Sequence, residues 1–168
     1  MSLAIVYTRA ALGIEAPLIT VEVHLSNGLP GLTMVGLPET TVKEARDRVR
    51  SALINSGYAF PAKKITINLA PADLPKEGGR YDLPIALALL VASEQLNTTR
   101  LNQYEFVGEL ALTGGLRGVP GAIPSAMEPI NAGRRIVVSS DNAAEVGLIG
   151  GSDCLVADHL QEVCAFLA

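Results

Sequence analysis

The chain has 168 residues, 49% of them hydrophobic and 18% charged, which is enough apolar side chain for the core of one ordinary domain and too little charge for a disordered segment. A formal charge of −4 argues against a free-standing nucleic-acid-binding domain, which usually carries a basic surplus, and leaves room only for a local basic patch. Cys154 and Cys164 lack metal-ligand spacing and are expected as reduced, packed thiols. The longest apolar run, 83–92, is about half a bilayer crossing, and Arg9 follows the short N-terminal apolar stretch instead of preceding it, so a soluble cytoplasmic protein without a membrane partner is expected.

Residues 3–9 read as a strand. In 18–25, Ile19, Val21, Val23 and Leu25 alternate with Thr20, Glu22 and His24, the period of a half-buried strand. Ser26, Asn27 and Gly28 offer a turn into a third strand at 31–35, so a hairpin is expected there. His24, on the polar side and without ligand partners, reads as a surface residue. A helix follows over 37–57. Pro38 suits its first turn, Thr41 with Glu44 has capping-box spacing, and Gly57 ends it. Val42, Ala45, Val49, Ala52 and Leu53 share one face. Opposite lie Lys43, Arg46 and Arg50, with Glu39–Lys43 and Glu44–Arg48 pairs at i,i+4; this reads as a solvated face ahead of a DNA-contacting stripe.

KITINL at 64–69 alternates and reads as a strand. PKEGGRYDLPIALALL at 75–90 then turns through two glycines into a helix reaching residue 96. Asp82 is placed as its N-cap and Pro84 in its first turn, and apolar residues on all sides imply a central, buried helix. Beyond a polar break at 97–100, residues 105–112 read as a strand, and Gly114, Gly115 and Gly118 mark a tight turn. A helix at 120–131, a strand at 135–139, a helical turn at 142–148, a strand at 154–157 and a closing helix at 159–167 complete the chain. Such alternation reads as α/β or α+β with a mixed sheet packed against helices, in a single domain without repeat or linker.

The glycine turn resembles two kinds of site. A phosphate-binding loop needs its lysine after the glycines and a hydroxyl for magnesium. Here Lys76 precedes Gly78 and Gly79, no Ser or Thr opens the helix, and Asp82 puts a carboxylate where phosphate would sit. No metal site is legible either: the histidines are far apart, and Glu77 with Asp82 needs no cation to explain a capped turn. PADLPKEGGRYDLPIALALL and FVGELALTGGLRGVPGAIPSAM resemble, in order and spacing, the two active-site segments of the Lon-type peptidase domain, whose serine and lysine act as nucleophile and base. The resemblance puts the serine position at Asp82 (Tyr81 under a one-residue shift) and the lysine position at Val119. Arg117 cannot replace the lysine, because a guanidinium does not deprotonate. No peptidase activity is expected.

A closer resemblance covers essentially the whole chain. GLPGLTMVGLP, TTVKEARDRVRSALINSGYAFPAKKITINLAPADLPKEGGRYDLPIAL and GELALTGGLRGVPGAIPSA are similar to the N-terminal domain of the magnesium-chelatase-like AAA+ ATPases of the ComM/YifB family. The resemblance implies one Lon-protease-like domain, of the ribosomal protein S5 domain 2-like type, over residues 1–168. An AAA+ ATPase module would follow it, with a Walker A loop that this chain lacks. It implies a homo-oligomeric ring in the full-length protein, using ATP and Mg to drive branch migration of DNA in natural transformation. This domain would be non-catalytic, hold no cofactor of its own, and contact its own AAA+ module, neighbouring subunits or DNA. If the Lon-like arrangement holds, Lys63, Lys64, Lys76, Arg80 and Arg117 gather around the two glycine turns as contact residues; ordinary surface solubility, or pairing of Arg80 with Glu77 or Asp82, explains them equally well. Two further readings stand beside this one. A hydrolase would use Ser125, Ser139 or Ser140 with Lys76, although nothing in the sequence puts a base beside these serines. A purely structural oligomerisation cap would dock through exposed apolar patches.

Overall fold

The computed structural model describes residues 2–121, 133–147 and 154–168. One mixed sheet runs in the order β3-β4-β2-β1-β5-β8-β9, from β3 (Gly31–Val35), β4 (Lys64–Ala70), β2 (Leu18–Ser26) and β1 (Leu3–Arg9) to β5 (Tyr104–Phe106), β8 (Arg135–Ser139) and β9 (Cys154–Ala157). A separate two-stranded ribbon pairs β6 (Glu109–Leu110) with β7 (Leu116–Arg117). The helices are α1 (Thr40–Lys43), α2 (Ala45–Asn55), α3 (Asp82–Ala92), α4 (Ala143–Gly147) and α5 (Leu160–Leu167). The architecture is mixed α/β, as the alternation of elements implied.

The expected hairpin between β2 and β3 does not form. β4 lies between them, antiparallel to β2 (Val21 opposite Leu69, Val23 opposite Ile67) and parallel to β3 (Leu32 opposite Ile65). The alternation of Ile65, Ile67 and Leu69, all buried, gives β4 a full apolar face, so a central place hides more carbon from water than an edge would. In the other half of the sheet β1, β5, β8 and β9 run parallel.

The helix expected over 37–57 is two segments. The chain turns at Glu44, where the Thr41 carbonyl accepts a hydrogen bond from the Arg48 guanidinium at 3.0 Å. Pro38 lies before the helix, in a bridge to Lys76, and Thr41 is no cap: its hydroxyl accepts from the Gly78 N–H at 2.9 Å. The apolar face of Val42, Ala45, Val49, Ala52 and Leu53 is fully buried, and Gly57 ends the helix at φ +89. The strand expected over 105–112 is broken into β5 and β6, because the Gly108 backbone leaves the sheet to bond Arg80 and Leu83. The helix expected at 120–131 lies almost wholly outside the described residues.

α3 lies against β1 and β2, with α2 beside it. From Asp82 to Leu90 every residue of α3 is buried, as its all-round apolar pattern required. Val107, Val119, Ile136 and Val138 form a second, smaller cluster, with Cys154 packed against it. Cys164 is buried and Cys154 half-buried.

Candidate functional site

The turn between β4 and α3 meets the β6–β7 ribbon at one end of the sheet. Pro75, Gly79, Tyr81, Glu109, Val119 and Pro120 are among the residues lining a cleft of about 490 Å³ there. The turn is stitched down on both sides. Lys76 exchanges backbone hydrogen bonds with Leu37 and Glu39, and Arg80 and Leu83 bond the backbone of Gly108. Gly79 passes so close to the ribbon that a Cβ there would lie 2.1 Å from the Glu109 carboxylate.

Asp82 is the first residue of α3 and not its N-cap, a position taken by Tyr81 without a side-chain cap bond, which corrects the N-cap expectation. One oxygen accepts from Arg48 Nε at 2.7 Å and from the Leu110 N–H at 3.1 Å, and the other from Arg48 Nη2 at 3.1 Å. A fork of this kind holds a carboxylate more firmly than a single helix N–H can. Burial pushes the Asp82 carboxyl up to about 6, against the pull of Arg48 and the Leu110 N–H. The Arg48 guanidinium, hydrogen-bonded to Asp82, is raised. At neutral pH both groups are charged, and the pair joins α2, α3 and the ribbon. Tyr81, the alternative nucleophile position, is also buried, its phenol pushed up to about 12 by loss of solvent.

The five basic residues expected to gather at this mouth do not do so. Lys76 is fully buried, and its ammonium donates to the carbonyls of Gly36, at 2.6 Å, and Pro71. Burial pushes that ammonium down from the usual lysine range, with Asp73 opposing. Arg80 is 5% exposed and donates to the carbonyls of Arg9 and Pro120, both at 2.9 Å. Asp82, proposed as its partner, belongs to Arg48. Arg117 is exposed on β7, opposite Glu109. Lys63 and Lys64 sit at the other end of β4, roughly 20 Å of strand from Pro71. Lys63 donates to Asn27 and borders a different hollow, of about 800 Å³, which His24 also lines.

The two peptidase positions hold no dyad. Val119 is packed in the smaller cluster, and its backbone exchanges two 3.0 Å hydrogen bonds with the Asn142 side chain. Ser139 is buried and donates to the Leu116 carbonyl, whereas Ser140 donates to Asp158; Lys76 is a partner of neither, and Ser125 lies outside the described residues. Among the described residues no group of three or more His, Cys, Asp or Glu could hold a metal ion, and no helix is long and apolar enough to cross a membrane.

Sequence reasoning missed two things here. The i,i+4 spacing pairs Arg48 with Glu44, which it meets only at 3.5 Å, and nothing in a separation of 34 residues points it to Asp82. A second buried network, Arg9 with Glu105 at 2.6 Å and Arg134 with Glu105 at 2.8 Å, joins β1 to β5 and was equally silent. A charged residue inside an apolar strand is the one signal that could have flagged Glu105.

Comparison with known proteins completes the picture. A family model described as subunit ChlI of Mg-chelatase matches residues 21–142. The chain is 80% identical over 167 residues to the uncharacterized protein YifB of Salmonella typhimurium and 78% identical to that of Escherichia coli. It is 59% identical to the competence protein ComM of Haemophilus influenzae. Each alignment covers 99% of this chain and 33% of the relative, so the chain spans about a third of the length of these curated relatives. The chain belongs to the Mg-chelatase ChlI-like family, in the group that holds the YifB and ComM proteins.

Proposed function

We propose that this chain is the Lon-like, non-catalytic accessory domain of a magnesium-chelatase-like AAA+ ATPase that remodels DNA. In the full-length protein it aids ring assembly or DNA contact while the AAA+ module uses ATP and Mg, in the cytoplasm. The single observation behind the loss of peptidase chemistry is Asp82, held by Arg48 at 2.7 Å where a hydroxyl nucleophile would have to stand. A carboxylate locked in an ion pair attacks nothing, and the one buried lysine nearby, Lys76, directs its protons at carbonyls. The likeness to a competence protein supports natural transformation as the setting, and branch migration is the activity the family resemblance implies there. Exposed Leu12, on the rim of the cleft, and Ile14, 92% exposed, support docking on the AAA+ module or a neighbouring subunit.

The test uses the full-length protein. ATP hydrolysis stimulated by branched DNA, with ATP-dependent migration of the branch, is expected, together with no labelling of this domain by a serine-reactive fluorophosphonate. An ATPase indifferent to DNA overturns the remodelling reading; a labelled serine in this domain overturns the non-catalytic one.

A further inference from the structure

β3 is an edge strand, so one side of its backbone has no strand partner among the described residues. Two adjoining grooves run along that edge. One, of about 270 Å³, is bordered by Gly31, Leu32, Arg46, Arg50 and Lys63; the other, of about 360 Å³, by Leu32, Met34, Lys43 and Arg46. Leu32 and Arg46 border both, which makes them one continuous trough between β3 and the α1–α2 segment. Among the described residues no carboxylate lines either groove.

The cations are spaced for a linear partner. Lys43 ends α1, Arg46 and Arg50 stand at i and i+4 on α2, and all three are exposed along the trough. Arg46 and Arg50 stand about 6 Å apart along the α2 axis, close enough to meet neighbouring phosphates of one strand. Lys63 extends the row, and its hydrogen bond to Asn27 leaves its charge uncompensated. Among the described residues, none of these four cations forms an ion pair with a carboxylate. Leu32, Met34 and Phe60 line its floor, each partly buried against the core, and the exposed side chains Lys43, Arg46, Arg50 and Lys63 give its rim a positive charge. A chain of −4 net charge that gathers four unpaired cations on one acid-free trough has concentrated its positive potential there.

We propose that this trough binds the phosphodiester backbone of a single DNA strand, without base readout, through Lys43, Arg46, Arg50 and Lys63. The proposal deepens the DNA-contact part of the reading above and rests on it, but moves the contact from the glycine corner to the β3 edge. Affinity there comes from neutralised phosphates and released counterions, so it falls steeply with salt.

The test is fluorescence anisotropy of a labelled oligothymidylate with this chain at a series of salt concentrations. The combined variant Lys43→Gln, Arg46→Gln, Arg50→Gln is expected to bind at least about tenfold more weakly at low salt and to lose about 2 from the slope of log K against log salt. Arg117→Gln, at the glycine corner, is expected to change neither. Because the three side chains are exposed, circular dichroism melts should match the parent, which separates lost contact from lost fold. The proposal is overturned if the parent chain does not bind at low salt, if the triple variant keeps its affinity and slope, or if Arg117→Gln weakens binding as much. Failure here leaves DNA-stimulated ATP hydrolysis in the full-length protein untouched, so the two readings fail separately.

Discussion

At the glycine corner Arg48, Lys76 and Arg80 all reach inward, to the Asp82 carboxylate or to backbone carbonyls, whereas along the β3 edge Lys43, Arg46 and Arg50 reach outward into an acid-free trough. The residue types are the same and the roles are opposite. A buried cation must be satisfied by the protein or it destabilises the fold, so it becomes part of the framework. An exposed one has no such obligation and remains free for a partner. The glycine corner is thus braced from within, and the exposed charge lies elsewhere.

That contrast breaks hardest at Arg48. Arg48→Met removes the fork that satisfies Asp82, and leaving a buried carboxylate uncompensated should cost about 3–5 kcal/mol in urea unfolding at pH 7. A loss below about 1 kcal/mol would mean that the corner is not braced by this pair. Next comes Gly36, at φ +103, where a Cβ would fall 2.1 Å from the Leu69 carbonyl oxygen. Gly36→Ala should cost about 2–4 kcal/mol, because backbone must move on both sides. Gly79→Ala meets an atom equally close, but it is the end of the Glu109 side chain, which can swing into the cleft, so less than about 1 kcal/mol is expected. Equal losses from the two would contradict this account of the cleft.

The pH dependence is a finer test. Asp82 has a folded-state value of about 6, above its ordinary 3.8, so the folded protein binds the proton more tightly than the unfolded chain. Its contribution is therefore fully present below about pH 4 and is lost as pH rises through 6. The stability of the parent minus that of Asp82→Asn should fall by about 1–3 kcal/mol between pH 4 and pH 7, read from paired urea titrations. A difference that rises with pH would show that Arg48 outweighs burial at this site. The smallest effect is expected at the edge, where the triple glutamine variant should change stability by less than about 0.5 kcal/mol.

Much of the framework was legible. The ends of β1, β3, β8 and β9 fall where the alternation and turn residues put them, and α3 is buried on all sides as its composition demanded. These features depend on residues near each other in the chain, where the periods of helix and strand and the hydrophobic effect act directly. The failures share a different cause. The β2–β3 hairpin was lost to a strand nearly forty residues downstream, and the N-cap at Asp82 was outbid by an arginine from another helix. In each case a long-range partner offered more burial or a stronger charge-assisted bond than the local motif.

The sequence by itself determined the alternation of elements, the buried central helix and, through its long characteristic phrases, the family. Only the tertiary structure decided which cations are free: Lys76 and Arg80 look no different in the chain from Arg46 and Arg50, and solvent access, a property of the packed whole, separates them. Burial obliges a charge to bond within the protein, and exposure leaves it to the surroundings.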